Sequence, residues 1–224
     1  MDRIKRAWMD LKFSFHGKEY NMKNTLIISA YTCCGKTYAS EHMKNYDILD
    51  VDVSKFKTIK RLPNEEEIEK EHQRWESSLH LMSVEGHLNQ FKQQIIKVDN
   101  PDFPDNFIQY IKENIGKVDV IFVDSDIRIR QWLDKAKIKF ITIYPLNNCL
   151  PEWVGRMYLH DYPDIIIRNK INGWNHETYH FKEPYGDRLI RFSYGEYISE
   201  RLIDDCFDFG YGINGGTENE SNSK

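Results

Sequence analysis

Residues 25–30, Thr25-Leu26-Ile27-Ile28-Ser29-Ala30, make an apolar, largely β-branched run of the kind that fills a parallel strand buried on both faces. Similar runs recur at Tyr46–Val51, at Val118–Val123 and at Phe140–Tyr144, where Pro145 ends the last. Helical periodicity separates them, and repeated strand, helix, strand predicts an α/β sheet of parallel strands with crossover helices. Ile165–Ile167, between Pro163 and Asn169, is a candidate fifth strand, giving a sheet of four to five. Asp105 ahead of Phe107, Ile108 and Ile111 predicts a capped helix that Gly116 closes.

Three stretches break the rhythm. Ile4–Leu11 and the aromatic run Phe13–Tyr20, interrupted by Gly17, read as an appended helix and hairpin, an N-terminal extension over residues 1–23. The long interval from Val53 to Lys117 carries Glu65-Glu66-Glu67 and then Trp75, Leu79, Leu81, Leu88 and Phe91 at helix-like spacings, a helical insert over 57–100 after strand two. Residues 208–224 end in a run of Gly, Asn, Ser and Glu with too little apolar surface to offset ordering entropy, and are expected to be a disordered tail. The remaining 24–207 read as one domain, with 146–164 as a segment able to act as a lid.

Composition narrows the function classes. The 224 residues include 31 Lys and Arg against 35 Asp and Glu, a formal charge of −4, so the whole molecule offers no electrostatic footprint for duplex nucleic acid. No stretch approaches the ~18 consecutive apolar residues of a membrane span, and the start lacks a signal-peptide core. A cytoplasmic location is expected. Four cysteines, Cys33, Cys34, Cys149 and Cys206, are too sparse for a disulfide scaffold and read as reduced thiols, with the vicinal pair open to a redox reading.

The first strand runs directly into Ala30-Tyr31-Thr32-Cys33-Cys34-Gly35-Lys36-Thr37 and then a helical segment. This is a Walker A phosphate loop with alanine in place of its first glycine. A tight turn aims successive backbone N–H groups at phosphate oxygens, and the helix N-terminus adds its partial positive charge. Thr32, Cys33, Cys34, Gly35, Lys36, Thr37 and Tyr38 are the candidate nucleotide contacts, with Lys36 on the β- and γ-phosphates and the Thr37 hydroxyl on Mg²⁺. Ala30 and Cys33 also permit a degenerate loop that binds nothing.

Ligands of open parallel sheets sit beyond the carboxyl ends of the strands. Asp50 and Asp52 alternate at the end of strand two, and Asp124 and Asp126 follow strand three. Asp50, Asp52 and Asp124 are candidate Mg²⁺ partners, Asp52 a candidate catalytic carboxylate, while aspartates in such turns also serve as helix caps. Phosphoryl transfer needs cations too, and among Arg128, Arg130, Arg156 and Arg168 the choices are Arg130 and Arg156. His176-Glu177-Thr178-Tyr179-His180 fits a zinc-hydrolase spacing, with His160 and Asp161 as conceivable third ligands. Gly173 and Pro184 around it argue for ordinary surface histidines.

Ile28-Ser29-Ala30 leading into Gly35-Lys36-Thr37, followed by Asp50-Val51-Asp52-Val53-Ser54-Lys55-Phe56, resembles the small bacteriophage P-loop proteins described as nucleoside or nucleotide kinase-like ATPases. Further matches are Phe103–Phe107, Ile111–Asp119, Ile121–Val123, Arg130 and Tyr144-Pro145, together spanning much of residues 24–160. The resemblance implies a P-loop kinase-type three-layer sandwich, ATP with Mg²⁺, and a deoxynucleoside monophosphate acceptor. Thr32-Cys33 stands where that family carries Pro-Gly, and Asp124-Ser125-Asp126 where it carries Ser-Ser-His. A hydroxyl acceptor, such as a nucleic acid 5′ end, a modified base or a small molecule, and a non-catalytic nucleotide-binding regulator stay open beside the nucleotide kinase. Oligomeric state is not legible.

Overall fold

A computed structural model describes residues 11–15, 18–22, 24–76, 84–178 and 189–214. The chain divides into two compact units, one of Met1–Asp52 with Ile108–Lys224, the other of Val53–Phe107.

The first unit is built on five parallel strands: β3 (Asn24–Ala30), β4 (Ile48–Asp50), β7 (Val120–Asp124), β8 (Ile141–Pro145) and β9 (Leu189–Phe192). They lie in the order β4, β7, β3, β8, β9. β3 is central because its side chains are apolar on both faces: Leu26, Ile27, Ile28 and Ala30 have no exposed surface. On one face Leu26, Ile28 and Ala30 join Val120, Phe122, Ile141 and Ile143 in a core that also holds Ala39, Trp153, Trp174, Ile203 and Cys206. On the other, Ile27, Ile121 and Val123 are equally buried, as are Ile111, Ile129 and Leu133. The helices of this unit are α1 (Lys36–His42), α6 (Ile127–Lys135), α7 (Leu150–Leu159), α8 (Asp164–Thr178) and α9 (Glu200–Asp208). A helix α5 (Asp105–Asn114) begins in the other unit and ends here. Thr25 Oγ1 ties the turn after this helix to β3, accepting from Gly116 N and donating to Val118 O.

The second unit contains a short helix α2 (Ser54–Lys57), an antiparallel pair β5 (Thr58–Arg61) and β6 (Ile96–Asp99), and helices α3 (Glu65–Glu76) and α4 (Val84–Gln93). Asn64 and Glu67 cap α3 reciprocally, each side chain accepting from the other's backbone N–H at 2.9 Å. Arg61 grips Glu67 with both terminal guanidinium nitrogens. His87 stacks on Trp75 and reaches Glu71 at 2.8 Å, joining α4 to α3.

Several expectations change. Ile165–Ile167 is the first turn of α8 and not a strand; Pro163 and Asp164 just before it are helix-start signals that outweigh three β-branched residues. The fifth parallel strand is β9. The segment 146–164 holds a 3-10 turn (Asn147–Cys149) and α7, whose Trp153 and Met157 are fully buried, so its apolar face is packed in the core. The insert is not purely helical, since β5 and β6 form its ribbon. The tail is ordered at its start: α9 runs to Asp208, and β10 (Ile213–Asn214) pairs antiparallel with Thr25 and Asn24. Residues 215–224 lie outside the described residues, as does most of the N-terminal helix expected at Ile4–Leu11. The expected hairpin is present as β1 (Leu11–Phe15) paired antiparallel with β2 (Lys18–Met22). Among the described residues no helix is long and apolar enough to cross a membrane.

Candidate active site

The sheet register decides which polar groups meet. Ala30, the last residue of β3, is level with Asp124 of β7 on one side and Ile143 of β8 on the other. The chain leaves β3 through Tyr31-Thr32-Cys33-Cys34, with Cys33 at φ 59° and Gly35 at φ 95°, and enters α1 at Lys36. Two left-handed residues in so short a turn bend the backbone sharply, the kind of conformation from which amide nests are made. No side chain caps α1, so the amides of its first turn stay available.

Lys36 donates its ammonium to Asp124 Oδ1, across the step from the loop to the neighbouring strand. Asp50 of β4 lies beside Phe122, two residues before Asp124 on β7, and the nearby Thr37 side chain opposes the rise in its pKa. Asp52, two residues on from Asp50, is exposed at the strand's carboxyl end and interacts electrostatically with it. Partial loss of water raises the Asp50 pKa; Lys36 opposes that rise, and Asp124 and Asp52 add to it. Lys36, Thr37, Asp50, Asp52 and Asp124 are therefore gathered in one place at the strand ends.

The other expected contacts are placed differently. Thr32 pairs its hydroxyl with Tyr162 Oη at 2.8 Å. Tyr38 is exposed, its ring stacked on His42 at 4.2 Å. Asp126 is the N-cap of α6, accepting from Arg128 N at 2.9 Å and pairing with the Arg128 guanidinium, so the capping reading of this aspartate is the one seen. Arg130 is buried, its guanidinium 5.4 Å from the Tyr144 ring centre. Arg156, expected to neutralise the moving phosphoryl group, is instead 3% exposed and bound to Glu152 at 2.6 Å and to the carbonyls of Cys33 and Glu196. A guanidinium so occupied supports the loop from behind. Arg168 is exposed on α8.

Sequence reasoning missed the groups behind the loop: Trp153, Tyr162, Tyr197 and the backbone of Ile198. They lie 121 or more residues from the loop positions they touch, so no local spacing announces them. The four cysteines are free thiols, and burial raises the pKa of each, that of Cys34 to about 12 and of Cys206 to about 11. The Cys33-Cys34 pair thus lacks the thiolate character of a redox switch.

Among the described residues, no three His, Cys, Asp or Glu stand together as a metal-binding group. Of the zinc spacing, His176, Glu177 and Thr178 lie on α8, and Tyr179 and His180 fall outside the described residues. Mg²⁺ is a different case, because it keeps several waters and takes one or two protein oxygens together with those of a bound phosphate. Thr37 and Asp50, close to each other beside the loop, offer oxygens of that kind. No protein-family model and no curated protein matches the chain.

Proposed function

We propose that the first unit is an ATP-dependent phosphotransferase of the P-loop kinase type, a three-layer α/β sandwich whose acceptor is a nucleotide-sized molecule. The observation that carries this reading is the meeting of Lys36, Thr37, Asp50 and Asp124 where a strongly curled loop enters an uncapped helix. Loop amides and Lys36 would hold the β- and γ-phosphates, and Thr37 and Asp50 would hold Mg²⁺, with Asp124 and Asp52 within reach of its water shell. When bound, the metal neutralises charge on the transferring group. The chain's own part is to fix the phosphates by backbone and ammonium and to exchange the Lys36–Asp124 pair for a Lys36–phosphate contact.

The resemblance to phage nucleotide kinase-like proteins makes a (deoxy)nucleoside monophosphate the first acceptor to test. One observation favours a hydroxyl acceptor instead. A phosphate acceptor needs arginines, yet Arg128 is paired with Asp126 and Arg156 is committed to Glu152 and the loop, whereas Asp52 stands exposed at the strand end as a candidate base.

Calorimetry with MgATP on the full chain and on Lys36→Ala, followed by a labelled-phosphate transfer screen over nucleoside monophosphates, nucleosides and 5′-hydroxyl oligonucleotides, separates these readings. Micromolar binding abolished in Lys36→Ala supports the site. Transfer to one acceptor class names the reaction, and binding without transfer to any acceptor turns the reading to a regulatory nucleotide-binding protein. No binding by the intact chain overturns it.

A further inference from the structure

We infer that Arg156 is a positioning residue for phosphate binding: with Trp153 and the backbone of Ile198 it holds three successive loop carbonyls on one side, turning the loop amides to the other. The carbonyl oxygens of Thr32, Cys33 and Cys34 accept, in that order, from Trp153 Nε1 at 2.8 Å, Arg156 Nη1 at 3.1 Å and Ile198 N at 3.0 Å. A trans peptide is planar, with its C=O and the following N–H directed oppositely. Fixing those three oxygens therefore fixes the N–H directions of Cys33, Cys34 and Gly35. The Cys34 N–H closes the turn on Tyr31 O at 3.4 Å. Those of Cys33 and Gly35 are directed away from the clamped carbonyls, and no side chain caps the first turn of α1 that follows.

The clamp supplies what the loop's own residues lack. A glycine adopts a left-handed conformation freely, but Cys33 holds φ 59° against the objection of its β-carbon. Such a residue keeps its conformation only where its surroundings over-determine it. The surroundings here are built for the task. The Arg156 guanidinium lies 4.0 Å from the Trp153 ring centre and 3.7 Å from that of Tyr197. Glu152 meets its charge through Nε and Nη2, and Nη2 also donates to Glu196 O at 2.9 Å. Glu152 in turn accepts from Gly195 N at 3.0 Å. Only a planar fork of donors can serve Cys33 O, Glu196 O and Glu152 at once while stacked between two rings. A lysine keeps the charge and loses the fork.

This inference rests on the loop's being a phosphate site, and inorganic tripolyphosphate with Mg²⁺ is the probe that isolates it. Its dissociation constant is measured by calorimetry for the full chain, for Arg156→Lys and for Trp153→Phe, well below each protein's melting temperature, alongside KM for ATP and kcat. The expected result is a rise in Kd for tripolyphosphate and in KM for ATP by the same factor. That factor is about ten- to hundredfold for Arg156→Lys, the loss of a charge-assisted hydrogen bond, and less for Trp153→Phe, with kcat at saturating ATP little changed. Trp153→Phe removes one donor and keeps the aromatic ring, so it carries the test if Arg156→Lys does not fold. A lowered melting temperature with unchanged Kd in both variants means a merely structural role and overturns the proposal. A fall in kcat with unchanged KM also overturns it, since Arg156 would then act on the reacting group. A wild-type chain that binds tripolyphosphate no more tightly than its variants do leaves the phosphate site standing and the clamp refuted. A wild-type chain that binds none refutes both.

Discussion

Lys36 and Asp124 are bound to each other across the mouth of the loop, a lysine side chain 13% exposed against an aspartate side chain 51% exposed. At that exposure an ion pair contributes about 0–1 kcal/mol, far less than the attraction of an ammonium to a triphosphate in the same place. The pair therefore keeps Lys36 oriented in the free protein and yields it readily. Asp124→Ala is expected to tighten metal-free ATP binding by up to about fivefold, the equivalent of that ~1 kcal/mol, because Lys36 loses its competitor. The same variant should lose more than about tenfold in Mg²⁺-dependent turnover. Calorimetry in chelator and a turnover assay with Mg²⁺ read the two arms. Weaker metal-free binding would show that Asp124 is needed to hold Lys36 in place.

Asp50 makes stability depend on pH in a stated direction. Its folded-state pKa is raised above the ordinary 3.8, chiefly by loss of water, so its charged form is penalised in the folded protein relative to the unfolded one. The group's contribution is most favourable below 3.8 and is lost as pH rises through the elevated folded value. Asp50→Asn should then melt higher than the parent at neutral pH, with the difference vanishing as pH falls towards 3.8. It should also bind MgATP more weakly. Thermal melts across that pH range check the first expectation; a variant less stable at pH 7 contradicts it.

Gly35 is required by its backbone: its φ of 95° favours a residue without a β-carbon, while an added Cβ would meet Tyr197 Cδ1 at 3.4 Å, an ordinary contact. Gly35→Ala should cost about 1–2 kcal/mol. In a protein of this size that lowers the melting temperature by roughly 2–8 °C. Gly35→Ala combined with Tyr197→Ala should recover no stability, and recovery would assign the cost to the contact instead of the backbone.

The thiols should resist alkylation. Raising Cys34 from 9.0 to about 12 cuts its thiolate fraction about a thousandfold at any pH below both values, and Cys33, Cys149 and Cys206 shift the same way. Iodoacetamide at mildly alkaline pH is expected to label the folded chain far more slowly than the unfolded chain, with no disulfide forming between Cys33 and Cys34. Rapid labelling of Cys33 at neutral pH would contradict this.

The buried strands were legible because their signal is local. β3, β7 and β8 are continuous apolar runs, and a strand covered on both faces leaves few other compositions. The turn between β3 and α1 was legible because Gly35-Lys36-Thr37 directly follows a buried apolar run and opens a helix. Ile165–Ile167 misled because a β-branched run fits a strand or the inner face of a helix, and only Ile167 of the three is fully buried on α8. β9 gave little warning, since Leu189-Ile190-Arg191-Phe192 is four residues with a charge inside. β5 and β6 are about 35 residues apart in the chain, and neither has a strand character that stands without its partner.

The amino-acid order by itself determined that a tight turn would follow a buried strand, with carboxylates at the ends of two others, because these depend on neighbours in the chain. Which carboxylate would face Lys36, which arginine would be withdrawn from the site, and which groups would hold Thr32, Cys33 and Cys34 in place were decided only when the strands came into register. Parallel pairing set Asp124 level with Ala30, and the packing of α7 brought Trp153 and Arg156 behind the loop. Hydrogen-bond partners more than a hundred residues apart are chosen by the folded core, and nothing in local sequence encodes that choice.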